Sequence, residues 1–199
     1  MRFLGMTEKR PMKATSVAYQ WQYDKADLKY CPRCGAPFTL EDVDIPGQPQ
    51  LVCHACKFVF YLDPKLVVVA MVTFGSRILL LKRAKEPGKG KWALLAGFVE
   101  RGEDPYAALK REAQEETGLE IKIEKVFKVN AFPDAGMVQL IFEATGLKRQ
   151  IATNAESYDG RFFSWEEMPW AEMAFASTRE TLHEFIMEKR NGASARRPK

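Results

Sequence analysis

Glutamate recurs at positions 112, 115 and 116, directly after Arg111, and Glu103 stands eight residues before that arginine. On a helix Glu112 and Glu116 share a face, with Glu115 three residues from Glu112. Like charges at this spacing repel, and a surface helix gains nothing from them. A divalent cation resolves the conflict, because carboxylate oxygens at this density suit Mg²⁺ or Mn²⁺. The Arg111 fork is suited to pair with a carboxylate such as Glu103 and fix its rotamer. The plain alternative is a solvated acidic helix face. The chain has only two histidines, His54 and His183, and no convincing nucleophile triad.

A second constellation lies upstream. All four cysteines fall in two C-x2-C pairs, Cys31/Cys34 and Cys53/Cys56, separated by eighteen residues. Paired knuckles of this kind present four sulfurs to one tetrahedral Zn²⁺. Four thiolates leave no open position for water, so the site reads as structural. Gly35, just after the first pair, suits a turn needing positive φ, and Asp44, Pro46, Gly47 and Pro49 predict a turn between the pairs. A ribbon of some thirty residues buries too little apolar surface to fold alone, and metal binding would supply the difference. Two disulfides are the alternative, with nothing else in the chain pointing to secretion. His54, inside the second knuckle, is not needed as a ligand.

The elements that must hold these groups follow from patterning. Residues 66–74 (LVVVAMVTF) predict a central strand and 77–82 its antiparallel return. Residues 83–91 form a loop with Pro87, Gly88 and Gly90 and the basic residues Arg83, Lys85, Lys89 and Lys91; it either meets phosphates or is simply solvated. A short strand is expected over 92–96. Asp104-Pro105 starts the acidic helix and Gly118 ends it. Further strands are expected over 121–129, 139–144 and 161–165, and an amphipathic helix over 177–189.

With 46% hydrophobic and 28% charged residues in 199, the chain has globular composition and room for one core plus a small module. The net charge of +4 does not by itself argue for nucleic acid. The longest apolar run is too short to cross a bilayer. The division predicted is a basic flexible leader over 1–29, a zinc ribbon over 30–62, a catalytic domain over 63–189 and a flexible tail over 190–199.

Residues 97–119 resemble the box of the Nudix hydrolases, G-x5-E-x7-R-E-U-x-E-E-x-G-U with U apolar, and every specified position is met, Ala113 serving as a small apolar residue. The resemblance implies an α/β/α sandwich with a mixed sheet, preceded here by the four-cysteine ribbon. It implies a Mg²⁺- or Mn²⁺-dependent pyrophosphatase in which Glu112 and Glu116 are principal metal ligands, Glu115 binds directly or through water, and the Ala96 carbonyl contributes. Arg111 and Glu103 would orient the glutamates, and Gly97 and Gly118 would permit tight backbone at the two ends of the helix. A further carboxylate from outside the box is expected as ligand or base. Glu156 is the first choice, Glu143 the second and Asp159 the third. Phe98, Phe132 and Tyr158, with Trp92, are candidates to stack on a base, or are wall residues. Phe132 is expected in a loop.

The order of ribbon and box is similar to bacterial NADH pyrophosphatases and to a group including plant chloroplast FAD pyrophosphatase. Segments 53–72, 92–118 and 174–186 favour the second group. The S-Q-P-W-P-F-P-x-S element of the NADH group is echoed only by Phe132-Pro133, and Leu94-Leu95-Ala96 stands where relatives often have Leu-Pro-Ala. The expected reaction is cleavage of the diphosphate bridge of a dinucleotide, FAD first, then ADP-ribose or NADH, releasing AMP and the other half. Alternatives are removal of an NAD or related RNA cap, hydrolysis of damaged dNTPs, or non-catalytic ligand sensing. A homodimer, a cytoplasmic location and no membrane are expected. Nucleic acid is not favoured as a partner, nor is organelle targeting by the basic N-terminus.

Overall fold

The computed structural model describes residues 25–42 and 49–194. The turn expected around Asp44–Gly47, most of the basic leader and the end of the tail lie outside these residues. Two separate sheets are present. The first has three antiparallel strands in the order β1-β2-β3: β1 (Thr39–Asp42), β2 (Pro49–Val52) and β3 (Val59–Phe60). The cysteine knuckles flank it.

The second sheet carries the main core. It contains β4 (Lys65–Phe74), β5 (Arg77–Arg83), β6 (Trp92–Ala93), β7 (Leu95–Phe98), β8 (Ile121–Phe132), β9 (Met137–Gly146) and β10 (Ser157–Phe163). Its main path runs β10-β5-β4-β9-β8. β4 pairs parallel with β9 and antiparallel with β5 and β7, so the sheet is mixed. Helices α1 (Pro105–Thr117) and α2 (Ala176–Ser194) cover its two faces.

The apolar run of β4 has a direct cause. Val68, Ala70 and Val72 pack on one side with Ala108, Leu109 and Ala113 of α1. Val67, Val69 and Met71 pack on the other with Leu182 and Phe185 of α2. A strand covered on both faces cannot alternate polar with apolar. This is the α/β/α sandwich expected from the sequence, with a four-cysteine cluster ahead of it.

One departure from expectation matters for the site. The strand expected over 92–96 is broken at Leu94. Ala93 pairs with Leu81 of β5, whereas Leu95 pairs with Ala70 of β4. β5 and β7 thus share one edge of β4: Phe74 and Thr73 bond β5, and residues 67–70 bond β7. The sheet forks there, and Ala93, Leu94 and Ala96 sit at the fork.

Other boundaries moved as well. β10 begins at Ser157 rather than 161, because it pairs with β5 from Arg83 onward. β8 extends through Phe132, which pairs with Met137. Phe132 is therefore the end of a strand in a tight hairpin and not a loop residue. α2 runs to Ser194, into the stretch read as a frayed tail.

Candidate functional site

The acidic helix is defined by its own ends. Asp104 caps α1, its Oδ1 accepting from the amides of Tyr106 (2.9 Å) and Ala107 (3.2 Å). Such a cap is worth about 1 kcal/mol. Pro105 occupies the first turn, where a missing N–H costs nothing. Gly118 stops the helix at φ 64°, its N–H returning to the Gln114 carbonyl. Ala108, Leu109, Ala113 and Thr117 face the sheet, which turns the glutamates toward the fork.

Arg111 organises this face. Its Nε and Nη2 clasp both oxygens of Glu103, at 2.9 and 3.0 Å. Nη1 donates to Glu112 (2.8 Å) and Glu115 (3.2 Å), and Nη2 also reaches the Phe98 carbonyl at 3.1 Å. The Arg111 fork and the Glu100 amide hold the Glu103 carboxyl down at about 2. Glu103 therefore stays ionised at any working pH, and Arg111 is held further into its charged form by Glu103 and Glu112.

None of these arginine bonds reaches Glu116. Burial, followed by the charges of Glu112 and Glu156, pushes its carboxyl up to about 8; Arg83 and the Ala96 amide act in the opposite sense. Burial also raises Glu112, against the pull of Arg111. Glu112 of α1 and Glu156 of the turn before β10 thus both act on Glu116 through their charge. Ala96, Glu116 and Glu156 line one small cleft at the fork, with Arg83 and Lys85. This donor set fits a hard divalent cation: the carboxylates already repel one another, and a cation removes that cost.

Gly97 has a different reason from the one expected. It lies in β7, not at a helix end, and its φ is not in the left-handed region. A Cβ there would sit 1.9 Å from Cδ of Glu112. Only glycine lets the glutamate lie against the strand.

Glu156 is held by a network centred on Asn154. Its carbonyl accepts from the Ala84 amide at 2.8 Å, and its own amide donates to Asn154 Oδ1 at 2.8 Å. Asn154 Nδ2 in turn donates to the Glu115 carbonyl at 3.0 Å, tying the turn to α1. Asn two residues before a glutamate is an Asx-turn signal, and it was available in the sequence. The Glu156 carboxylate is ion-paired to Lys85.

The alternatives fare differently. Glu143 shares the α2 face with Ile141, is only 8% exposed, and is paired with Lys189 of α2 and with Lys125. It is on the far side of the sheet from α1 and does not join the carboxylate group. Asp159 bonds the Gly160 amide and Arg161 of its own strand. Trp92 is buried in the α2-side core, edge-on to Phe163 at 4.9 Å, and is a wall residue. Phe98 and Tyr158 are 42% and 59% exposed. Neither they nor Phe132 line the clefts at the fork; the aromatic that does is Phe175.

The cysteines form a compact second centre. The four sulfurs lie within 4.8 Å of one another, with Cys31–Cys56 at 3.7 Å and Cys34–Cys53 at 3.4 Å. A disulfide needs about 2.05 Å; a zinc tetrahedron with Zn–S near 2.3 Å puts sulfurs about 3.8 Å apart. All four cysteines are free. The two knuckles are built alike. Gly35 N–H returns to the Cys31 carbonyl (2.8 Å) and Lys57 N–H to the Cys53 carbonyl (2.7 Å). Both residues have positive φ, 77° and 60°. The sequence signalled this at Gly35 but not at Lys57. The geometry fits a structural Zn²⁺. We expect about one zinc per chain by mass spectrometry of native protein, and its loss with unfolding of the ribbon in Cys53→Ser. Metal-free protein with two disulfides would overturn the assignment.

Comparison with known proteins decides the family. The model of the NUDIX domain matches residues 64–187. The chain belongs to the Nudix family. Among curated Nudix relatives, an ADP-ribose pyrophosphatase of Methanocaldococcus jannaschii is 32% identical over 57% of this chain and 69% of its own length. NAD-capped RNA hydrolases NudC of Haemophilus influenzae and Stutzerimonas stutzeri are 33% and 30% identical over 70% and 82% of this chain. The chain spans only 52% and 58% of those two proteins' lengths. A crystal structure of a NUDIX hydrolase from Nitrosomonas europaea superimposes with a TM-score of 0.78 at 30% identity, over 82% of this chain and 93% of that one. These findings support a Nudix pyrophosphatase. Among the described residues no helix is long and apolar enough to cross a membrane.

Proposed function

We propose that the chain is a divalent-metal-dependent pyrophosphohydrolase that cuts the diphosphate bridge of an ADP-containing dinucleotide, NAD as an RNA cap or free NAD ahead of ADP-ribose. The observation that carries the reaction is the placing of half-buried Glu116 with Glu156 in one cleft beside Ala96, with Glu112 close enough to help raise the Glu116 carboxyl to about 8 and no Arg111 bond to Glu116 itself. The names of the curated relatives carry the substrate. They speak of ADP-ribose and NAD-capped RNA, so the preference for FAD read from segment likeness gives way to the cap reading.

In this account Glu112, Glu116, Glu156 and the Ala96 carbonyl hold the metal, with Glu115 assisting. Bound there, Mg²⁺ or Mn²⁺ would neutralise phosphate charge and make water a stronger nucleophile. Arg111, locked by Glu103, fixes the rotamers of Glu112 and Glu115. Lys85, paired with Glu156, and Arg83 present positive charge to a diphosphate. We also propose the ribbon over 30–62 and the catalytic domain over 63–189 as separate units, in keeping with the two separate sheets, with the leader over 1–29 and the tail from 190 outside both. The second unit would act as a homodimer.

A titration follows from Glu116. Its folded pKa is raised above the ordinary 4.5, so the metal-free fold is favoured below that value and loses this contribution as pH rises through about 8. Metal must displace the proton below pH 8. Apparent Mg²⁺ affinity should therefore rise with pH, by up to about tenfold per unit, and level off above 8. Magnesium-induced melting shifts at pH 6, 7, 8 and 9 test this; a pH-independent shift contradicts it.

The substrate reading is tested by comparing kcat/KM on NAD-capped RNA, NAD, ADP-ribose and FAD. Preference for the cap or NAD supports it. Preference for FAD restores the expectation from the sequence.

A further inference from the structure

The segment that delivers Glu156 crosses the open end of α1. The last carbonyls of a helix have no partner within it and must find donors elsewhere. Here the Thr117 carbonyl accepts from the Ala152 amide, and the Glu115 carbonyl from Nδ2 of Asn154, both at 3.0 Å. These two carbonyls stand on either side of Glu116 in the chain. The residues that flank one carboxylate of the cleft are thus bonded to the segment that carries the other.

Glu156 precedes β10, and its side chain is half exposed. Its backbone is fixed at two points. The Ala84 amide donates to its carbonyl, and its own amide donates to Oδ1 of Asn154, both at 2.8 Å. The first bond joins backbone to backbone and ties Glu156 to the end of β5. The second makes Asn154 a bridge, with its oxygen on Glu156 and its nitrogen on α1. A side-chain amide carries an acceptor and a donor at once; a carboxylate lacks the donor, and alanine lacks both. The rest of the segment is anchored without Asn154. Ile151 packs against the α1-side core. A Cβ on Gly160 would meet Thr153 at 3.1 Å and Ile151 at 3.2 Å, so these two lie directly over β10. Asn154 is exposed and no part of that core.

We propose that Asn154 is a positioning residue of the metal site, setting Glu156 at its distance from Glu116 by tying the Glu156 backbone to the turn of α1 that bears Glu116. The proposal rests on the metal-dependent pyrophosphohydrolase reading, in which Glu116 and Glu156 hold the same cation. Partners that orient a metal ligand from behind are worth about 10–100-fold in metal affinity or activity. The two carboxylates come from parts of the chain some forty residues apart, and a displacement of about 1 Å between them is enough for a loss of that size.

The test is calorimetric binding of Mn²⁺ to wild type, Asn154→Ala, Glu156→Gln and the double variant, with melting temperatures and steady-state kinetics on NAD alongside. Asn154→Ala should weaken Mn²⁺ by at least about tenfold and lower kcat to match. Its KM for NAD and its melting temperature should stay near wild type, since it touches neither the core nor the other cations of the cleft. In the Glu156→Gln background, where Glu112 and Glu116 still bind metal weakly, the same change should cost no more than about twofold, because no ligand is left for Asn154 to place. A second full loss there would mean that Asn154 acts on the fold at large, and it overturns the proposal. Wild-type affinity in Asn154→Ala overturns it as well, as does wild-type affinity in Glu156→Gln, which removes the residue Asn154 acts through. The binding arm needs no turnover. The expected pattern of affinities in a chain that leaves NAD intact would uphold the positioning role and sink the hydrolase reading alone.

Discussion

Glu116→Gln should lower kcat by about a thousandfold, equivalent to about 4 kcal/mol of transition-state stabilisation, while leaving the fold intact. The side chain keeps its size, so packing beside Ala96 is preserved. What disappears is the carboxylate that faces Glu112 and Glu156 without help from Arg111. The metal-free variant should be at least as stable as wild type above pH 8, where the wild-type group is forced to ionise among like charges. It should also lose the magnesium-induced rise in melting temperature. The two signs together separate this from general damage: activity falls while metal-free stability does not. Full activity in the purified variant would refute the metal site.

Gly97→Ala should be nearly as harmful to turnover, for a steric reason. The added Cβ would lie within 1.9 Å of Cδ of Glu112 and 2.1 Å of its Oε1. The obstacle is the far end of a side chain, so the protein escapes by swinging Glu112 aside rather than by unfolding. That breaks its 2.8 Å bond to Arg111 and displaces an oxygen meant for the metal. A misplacement of about 1 Å at a reacting centre costs on the order of a hundredfold. We expect kcat/KM to fall by at least that factor and magnesium affinity to fall with it, with a melting temperature only a few degrees lower. Steady-state kinetics and a magnesium titration read both. A Gly97→Ala protein of wild-type activity would mean that Glu112 does not work from the position it occupies here.

What the sequence disclosed and what it hid divide along a physical line. α1 was legible to the residue, because its start and stop depend on Asp104, Pro105 and Gly118, which act locally. The metal knuckles were legible for the same reason, since two residues between cysteines fix the turn. The failures are non-local. Whether Glu143 points toward α1 or α2 depends on the register of β9 against β4, where it pairs with Met71 on the α2 face; nothing near Glu143 in the chain specifies that. The break at Leu94 depends on β5 and β7 competing for one edge of β4. The need for glycine at 97 depends on a glutamate fifteen residues away. Phe175, delivered by the segment entering α2, lines one of the two clefts at the fork, and nothing near it in the chain marks it for that place.

Glu143 also shows why a carboxylate near a predicted site needs its partners checked. Nearly buried, it is matched by Lys189 and Lys125 and belongs to the docking of α2. Glu116 is the opposite case, half-buried beside charges of its own sign. The difference between the two is the physical content of the metal-site proposal.

The most direct measurement is product analysis of NAD incubated with the purified protein and Mg²⁺, with and without a chelator. The account predicts AMP and nicotinamide mononucleotide in equal amounts, at a rate abolished by chelation. Intact NAD after incubation with protein shown to hold its magnesium, or cleavage at the nicotinamide–ribose bond instead, would contradict it.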